Sequence, residues 1–297
     1  MTIDPLAAEL LAQSVLLAPL GPVRARQADA ERVERWTAGA DVPSADVVEQ
    51  VIAGVPVRVV APPDGGELPT VVHCHGGGWV VGSPATYDLP VRRLAVGCAA
   101  RVVDVDYRLA PEHPFPAGLD DCWAVLQALP GPVAVAGDSG GAAIVAALTL
   151  RAREAGLPLL AQLLVYPSVS LVRGFPSWRE HSVGGGLEAA DSAWFADCWA
   201  PAGVDRGDPL VSPYEAASLA GLPAAVLAVA EVDPLRDGGL AYAERLRADG
   251  VPVTVVVAER QVHGYLQMAC VPSAVAAVVQ AHEAFRALLY GGASTAS

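Results

Sequence analysis

Short apolar runs recur along the middle of the chain, each closed by glycine or by charged residues. Thr70-Val71-Val72-His73-Cys74, Val133-Ala134-Val135-Ala136, Ala225-Val226-Leu227-Ala228-Val229-Ala230 and Val253 to Val257 have the length and continuous apolarity of strands buried on both faces. The second run leads into a helical stretch, Ala142 to Ala155. Strands alternating with helices predict an α/β fold with a parallel sheet. At the start of the chain, Leu6, Leu10, Leu11, Val15 and Leu16 recur at roughly helical spacing, which predicts an amphipathic helix packed on the body. Asp4 and Glu9 interrupt this segment and the first cation is Arg24, a pattern unlike a signal peptide. No uninterrupted apolar stretch reaches transmembrane length. The Pro/Gly-rich Ala61 to Gly66 lies between two candidate strands and reads as a hairpin or surface loop, so one large domain over residues 1–297 is expected.

Two of the strands end in glycine-rich turns, His75-Gly76-Gly77-Gly78-Trp79 and Gly137-Asp138-Ser139-Gly140-Gly141. The second has the strand, sharp turn and helix context of a nucleophile elbow, in which a strained turn lifts a serine hydroxyl above the sheet. Gly137 and Gly141 are then small because strand and helix pass closely, and Ser139 meets the substrate. Acyl transfer places negative charge on a carbonyl oxygen, and fixed backbone N–H groups stabilise it. The run Gly76 to Gly78 lets a main chain approach that oxygen, and Gly140 adds a further N–H. Either motif alone is commonly a plain loop; both, in this order and each after a strand, point to a nucleophile with an anion cradle.

Composition narrows the chemistry. A net charge of −13 leaves no basic surface for phosphate backbones, so neither nucleic acid nor an anionic membrane is an expected partner. All nineteen basic residues are arginine, and the chain has neither lysine nor asparagine. Schiff-base lysines, Ser-Lys dyads, P-loop lysines and Cys-His-Asn triads are therefore excluded. The five cysteines are widely spaced and mostly in apolar sequence, which fits reduced thiols in a cytoplasmic protein. His73-Cys74-His75 is the one cluster of metal-ligand types, but on a strand His73 and His75 share a face with Cys74 opposite, so the three do not converge on one ion and no metal or other cofactor is expected.

A serine hydroxyl needs a base within hydrogen-bond reach and a carboxylate to orient that base. Of the six histidines, His73 and His75 belong to the first strand and turn, His113 to a proline-rich loop, His181 to the approach to a glycine loop and His282 to the terminal helical run. His263 follows the strand Val253 to Val257 by a short loop, as a base at the carboxyl edge of a sheet would. Three carboxylates follow the strand Ala225 to Ala230: Glu231, Asp233 and Asp237. Asp233 is preferred because Pro234 fixes the start of the loop; Asp237 suits a helix cap and Glu231 a supporting group.

With Ser139, Asp233 and His263 in this order, and with Asp106 to Ala117 reading Asp-Tyr-Arg-Leu-Ala-Pro-Glu-His-Pro-Phe-Pro-Ala, the chain resembles the hormone-sensitive lipase-like family of α/β-hydrolases, the bacterial esterase group. Five motifs carry the resemblance: His75 to Trp79, Asp106 to Ala117, the Ser139 elbow, Asp233 to Asp237 and His263-Gly264. It implies a mostly parallel eight-stranded sheet with helices on both faces and a helical cap, Ser139 as nucleophile, His263 as base, Asp233 as acid, and oxyanion donors from Gly77, Gly78 and Gly140. His75, Gly76, Gly137 and Gly141 would support them. One departure is local: the family usually carries alanine at the position of Gly140. The three-proline motif after Asp106 is expected to brace the oxyanion turn.

Residues 1 to about 45 and about 173 to 213 fall outside the core pattern, and the resemblance implies that they form the cap. Trp79, Trp194, Phe195, Trp199 and Tyr265 are candidates for a substrate pocket, while Gly184-Gly185-Gly186 suggests a flexible link. The expected reaction is hydrolysis of a small, neutral, short-acyl ester by a monomer or homodimer. An N-acyl amide or lactone hydrolase is the alternative on the same site, and a non-catalytic small-molecule receptor is the alternative of a different class.

Overall fold

The apolar runs form the centre of one eight-stranded sheet. The computed structural model describes residues 2–63 and 65–291. The strands are β1 (Asp46–Ile52), β2 (Val55–Ala61), β3 (Thr70–Cys74), β4 (Arg101–Val105), β5 (Val133–Asp138), β6 (Leu159–Val165), β7 (Ala225–Val232) and β8 (Val253–Val262), in the spatial order β1-β2-β4-β3-β5-β6-β7-β8. β1 and β2 form an antiparallel hairpin, and β2 pairs antiparallel with β4. From β4 to β8 every pairing is parallel, which is why those strands are nearly continuous in apolar residues.

Helices cover both faces. α4 (Ala117–Ala128), α5 (Ser139–Glu154) and α8 (Arg236–Ala248) bury Leu119, Ile144, Leu148 and Tyr242 against one side. α3 (Asp88–Cys98) and α9 (Pro272–Gly291) bury Val91, Leu94 and Phe285 against the other. α5 runs along the central strands, and from Ala142 to Leu150 every residue is buried, so it reads as apolar all round. The Ala61 to Gly66 segment connects β2 to β3, as its composition predicts.

The start of the chain departs from the single expected helix. α1 (Pro5–Ala12) is capped by Asp4, whose carboxylate accepts from Leu6 N–H at 2.9 Å. It stops at Gln13, and a one-turn segment at Ala18–Leu20 leads into α2 (Gly21–Thr37). Val15 and Leu16, the last residues of the apolar period, therefore lie between the two helices. Leu10 and Leu11 pack on the core, whereas Val15 and Leu16 are exposed. Between β6 and β7 lie α6 (Pro176–Glu180) and α7 (Ala189–Trp199).

Candidate active site

The site sits at the carboxyl ends of β3, β5, β7 and β8, the edge at which parallel α/β sheets bind ligands. Ser139 is the first residue after β5 and has φ +51°, a left-handed conformation that a side chain adopts only where its surroundings enforce it. Gly137 and Gly141 provide that enforcement. A Cβ on Gly137 would lie 2.7 Å from the Cys74 carbonyl oxygen, and one on Gly141 would lie 2.1 Å from the same oxygen and 2.3 Å from that of His75. Any larger residue would push β3 and the start of α5 apart.

Ser139, His263 and Asp233 form one hydrogen-bonded line. His263 Nε2 is 2.9 Å from Ser139 Oγ, and Nδ1 is 2.9 Å from Asp233 Oδ2. A carboxylate only accepts, so Nδ1 carries the imidazole proton and Nε2 is left to accept from the Ser139 hydroxyl. Leu235 N–H donates to Asp233 Oδ1 at 2.7 Å, fixing the carboxylate from its other side. Asp233 is fully buried, while Ser139 and His263 are each 8% exposed, enough to meet a ligand.

The two other carboxylates near Asp233 serve neighbouring contacts. Asp237 lies one residue inside α8 rather than at its cap, because the helix begins at Arg236; it accepts from Ser177 N–H at 2.9 Å and from Arg236 at 2.8 Å. Glu231 accepts from Arg260 N–H at 2.7 Å. The remaining histidines stay out of this line.

The His75 to Trp79 turn lies opposite Ser139. Gly77 (φ +108°), Gly78 (φ +57°) and Trp79 (φ +64°) all take left-handed conformations. The N–H groups of Gly77 and Gly78 form no hydrogen bond among the described residues. That of Gly140 lies in the first turn of α5, where donors have no partner within the helix. The positive end of the α5 dipole falls at the same place. His75 steadies the turn: its Nδ1 pairs with its neighbour's carbonyl, Gly76 O, at 2.8 Å, and its ring stacks on Tyr107 with centroids 4.3 Å apart. Burial pushes the His75 imidazole down to about 4, so it is neutral at ordinary pH. The Asp106 to Ala117 segment braces this turn, with Tyr107 Oη donating to His75 O at 2.7 Å and Ala110 N–H to Trp79 O at 2.9 Å.

Asp138 is a residue that the sequence pattern does not mark. Its carboxylate is buried and accepts three hydrogen bonds: Gly76 N–H at 2.8 Å on Oδ1, and Tyr87 Oη at 3.0 Å and Tyr166 Oη at 3.1 Å on Oδ2. It therefore ties the glycine turn of β3 to the serine turn of β5. Burial pushes its carboxyl above the usual carboxylate range, and the hydrogen bonds oppose that shift. Its partners lie 28 to 62 residues away, which leaves no local signal.

A cavity of about 50 Å³ opens between Ser139, His263, Gly77, Gly78 and Phe195. Among the sequence-derived pocket aromatics, Phe195 lines it and covers Gly78, where a Cβ would lie 2.2 Å from its ring. Trp79 and Trp199 instead stack on each other at 5.2 Å, and Trp194 packs against Phe195. Tyr265 is buried edge-on to Tyr166. Within the Gly184 to Gly186 run, Gly184 has open space around it, but Gly185 and Gly186 pack closely against the site. Gly185 O accepts from His263 N–H at 2.8 Å, and a Cβ on Gly186 would lie 2.4 Å from His263 O.

Comparisons with known proteins bear on the family. The profile of the α/β-hydrolase-fold family matches residues 71–267. The esterase LipI of Mycobacterium tuberculosis is 41% identical over 270 residues, 84% of each chain. The crystal structure of a thermostable esterase from Pseudomonas putida has a TM-score of 0.88 at 31% identity, over 97% of this chain and 98% of that one. That of DphMB1 reaches 0.87 at 39% identity, over 97% and 99%. With its β5 elbow, its glycine turn and its sheet order, the chain belongs to the hormone-sensitive lipase-like family of α/β-hydrolases.

Proposed function

We propose that the chain hydrolyses small, neutral, short-acyl esters through an acyl-enzyme on Ser139. The observation that carries this reading is the Ser139–His263–Asp233 line, with both links at 2.9 Å, facing unpaired N–H groups. His263 Nε2 takes the Ser139 proton as Oγ attacks the carbonyl carbon. The oxyanion accepts from Gly77, Gly78 and Gly140 N–H, and Asp233 holds the imidazolium that forms. Collapse breaks the bond to the alcohol oxygen, which leaves with the proton from His263. Water, activated by the same imidazole, then releases the acid and restores Ser139.

The short-acyl preference rests on space. A cavity of about 50 Å³ takes only a few non-hydrogen atoms, an acetyl group among them. Leu17, Arg32, Leu187 and Phe195, from the two segments outside the core pattern, line it, which supports their reading as a cap on a single domain. All five cysteines are free, which supports a cytoplasmic setting.

A panel of p-nitrophenyl esters from acetate to dodecanoate, with acetanilide as the amide, tests the reading. The expected kcat/KM falls as the acyl chain grows past about four carbons, and the amide is a poor substrate because its leaving group needs more protonation. A flat or rising chain-length profile would refute the short-acyl reading. Better turnover of the amide than of the esters would favour the N-acyl alternative.

A further inference from the structure

The small Ser139 cavity does not end at the cap. It adjoins an open chamber of about 530 Å³, largely apolar through Leu11, Val15 and Trp36 but also lined by Ser14 and Glu188, and Arg32, Gly186 and Asp191 line both spaces. If the inner cavity takes the acyl group, the outer chamber receives the alcohol portion. Whatever passes between them meets Arg32.

Arg32 is held but not satisfied. It stands on α2, its guanidinium carbon 4.7 Å from the ring centroid of Trp36, and its Nη2 donates to the buried Asp29. Its Nε is buried and has no hydrogen-bond partner, and Nη1 forms none among the described residues. An unpaired buried donor is costly, and more so in a charged group. The side chain is 23% exposed, and a ligand can reach Nη1, the unpaired nitrogen that is not buried, while Nε stays out of its reach. Asp29 faces it from its own helix and Asp191 from α7, where Asp191 accepts from Leu17 N–H at 2.9 Å and Ala18 N–H at 2.8 Å. Two carboxyl groups around one guanidinium leave no surplus positive charge to attract an anion.

We infer that Arg32 is a specificity-determining residue that donates a hydrogen bond to a neutral carbonyl oxygen in the alcohol portion of the substrate. The preferred substrate class is then an acetyl-type ester of a small alcohol carrying a second, uncharged oxygen acceptor close to the scissile bond. This rests on the ester-hydrolase reading and adds the identity of the leaving group.

Three acetates of nearly equal shape test it: 2-oxopropyl acetate, 2-methylpropyl acetate and carboxymethyl acetate. Intrinsic reactivity differs among them, but it cancels when the ratio of kcat/KM for the oxopropyl over the methylpropyl ester is compared between wild type and Arg32→Met. A hydrogen bond from a charged donor corresponds to about a tenfold to hundredfold fall in that ratio. Arg32→Gln, which keeps N–H donors without the charge, should give an intermediate ratio, and a melting curve for each variant verifies its folding. A ratio unchanged within about twofold in Arg32→Met would overturn the role of Arg32. Wild-type preference for the carboxymethyl ester over the oxopropyl ester would overturn the neutral class. Failure of the wild type on all three esters would instead strike the hydrolase reading on which the inference stands.

Discussion

Gly140 and Gly141 are adjacent in the first turn of α5, yet alanine at the two positions should behave very differently. Helix propensity alone favours alanine at each by about 1 kcal/mol. At Gly141 the added Cβ would lie 2.1 Å from Cys74 O and 2.3 Å from His75 O, both backbone atoms at the end of β3. A normal contact needs about 1 Å more, and β3 is paired on both sides, to β4 and β5. Overpacking of this kind costs about 1–3 kcal/mol, and the backbone origin of the clash puts it at the upper end. After the propensity gain a net loss of about 2 kcal/mol remains, which for a chain of 297 residues corresponds to a melting temperature lower by roughly 3 °C. The same displacement moves His75 and the Gly77 and Gly78 N–H groups, and a misplacement of about 1 Å can cost about a hundredfold in rate. At Gly140 the atoms nearest to the Cβ would be those of the Trp79 ring, at 3.0–3.2 Å, so a few tenths of an ångström suffice. Its expected stability change is within about 1 kcal/mol. Thermal denaturation and p-nitrophenyl acetate kinetics on both variants read these effects. A Gly141→Ala protein as stable and active as wild type, or a Gly140→Ala protein equally damaged, would refute the close-approach reasoning.

Asp138→Asn should lower kcat about tenfold with little change in KM, because an amide offers one acceptor oxygen where three donors converge and frees the Gly76 end of the anion cradle; steady-state kinetics giving a wild-type kcat would contradict the tie between the two turns. Stability should fall with acidity through two buried imidazoles. His75 and His282 are pushed down to about 4 chiefly by burial, whereas an unfolded histidine takes up its proton near 6.5. The folded values are the lower ones, so this contribution is complete above pH 6.5 and is lost as pH falls toward 4, by about 3 kcal/mol per ring. Urea midpoints at pH 7 and pH 5 should show the decline, and His282→Leu should show a smaller one; an equal decline in the variant would remove His282 from the account.

How much of this was legible in the sequence depended on whether a signal is local. Thr70–Cys74 forms β3 with the bounds that its apolar run marks, and the Ser139 turn falls between a strand and a helix as its glycines require. Ser139 and Asp233 sit just past readable strand ends, whereas β8 runs on from Val257 to Val262 and leaves no loop before His263; their convergence follows from parallel topology. The contacts that shape the site are of another kind. Asp138 draws on Gly76, Tyr87 and Tyr166, and no spacing rule links residues brought together by three different elements. Gly184 to Gly186 look like a hinge in sequence because glycine serves both freedom and close approach; the backbone of His263 beside Gly186 decides between them. Trp79 and Trp199 carry the composition of a pocket wall but stack on each other, a choice that aromatic content cannot reveal. The apolar period at the N-terminus runs through Leu16, but α1 stops at Ala12, and Val15 and Leu16 lie between it and α2.

The central claim is that ester hydrolysis passes through the hydroxyl of Ser139. Titration with diethyl p-nitrophenyl phosphate, followed by peptide mass mapping, tests it directly. Activity on p-nitrophenyl acetate should fall in proportion to the incorporation of one diethylphosphoryl group per chain, carried by the peptide that contains Ser139, and Ser139→Ala should take up no label and show no turnover. Activity that survives full modification of Ser139, or that is lost with the label on another residue, would contradict the account.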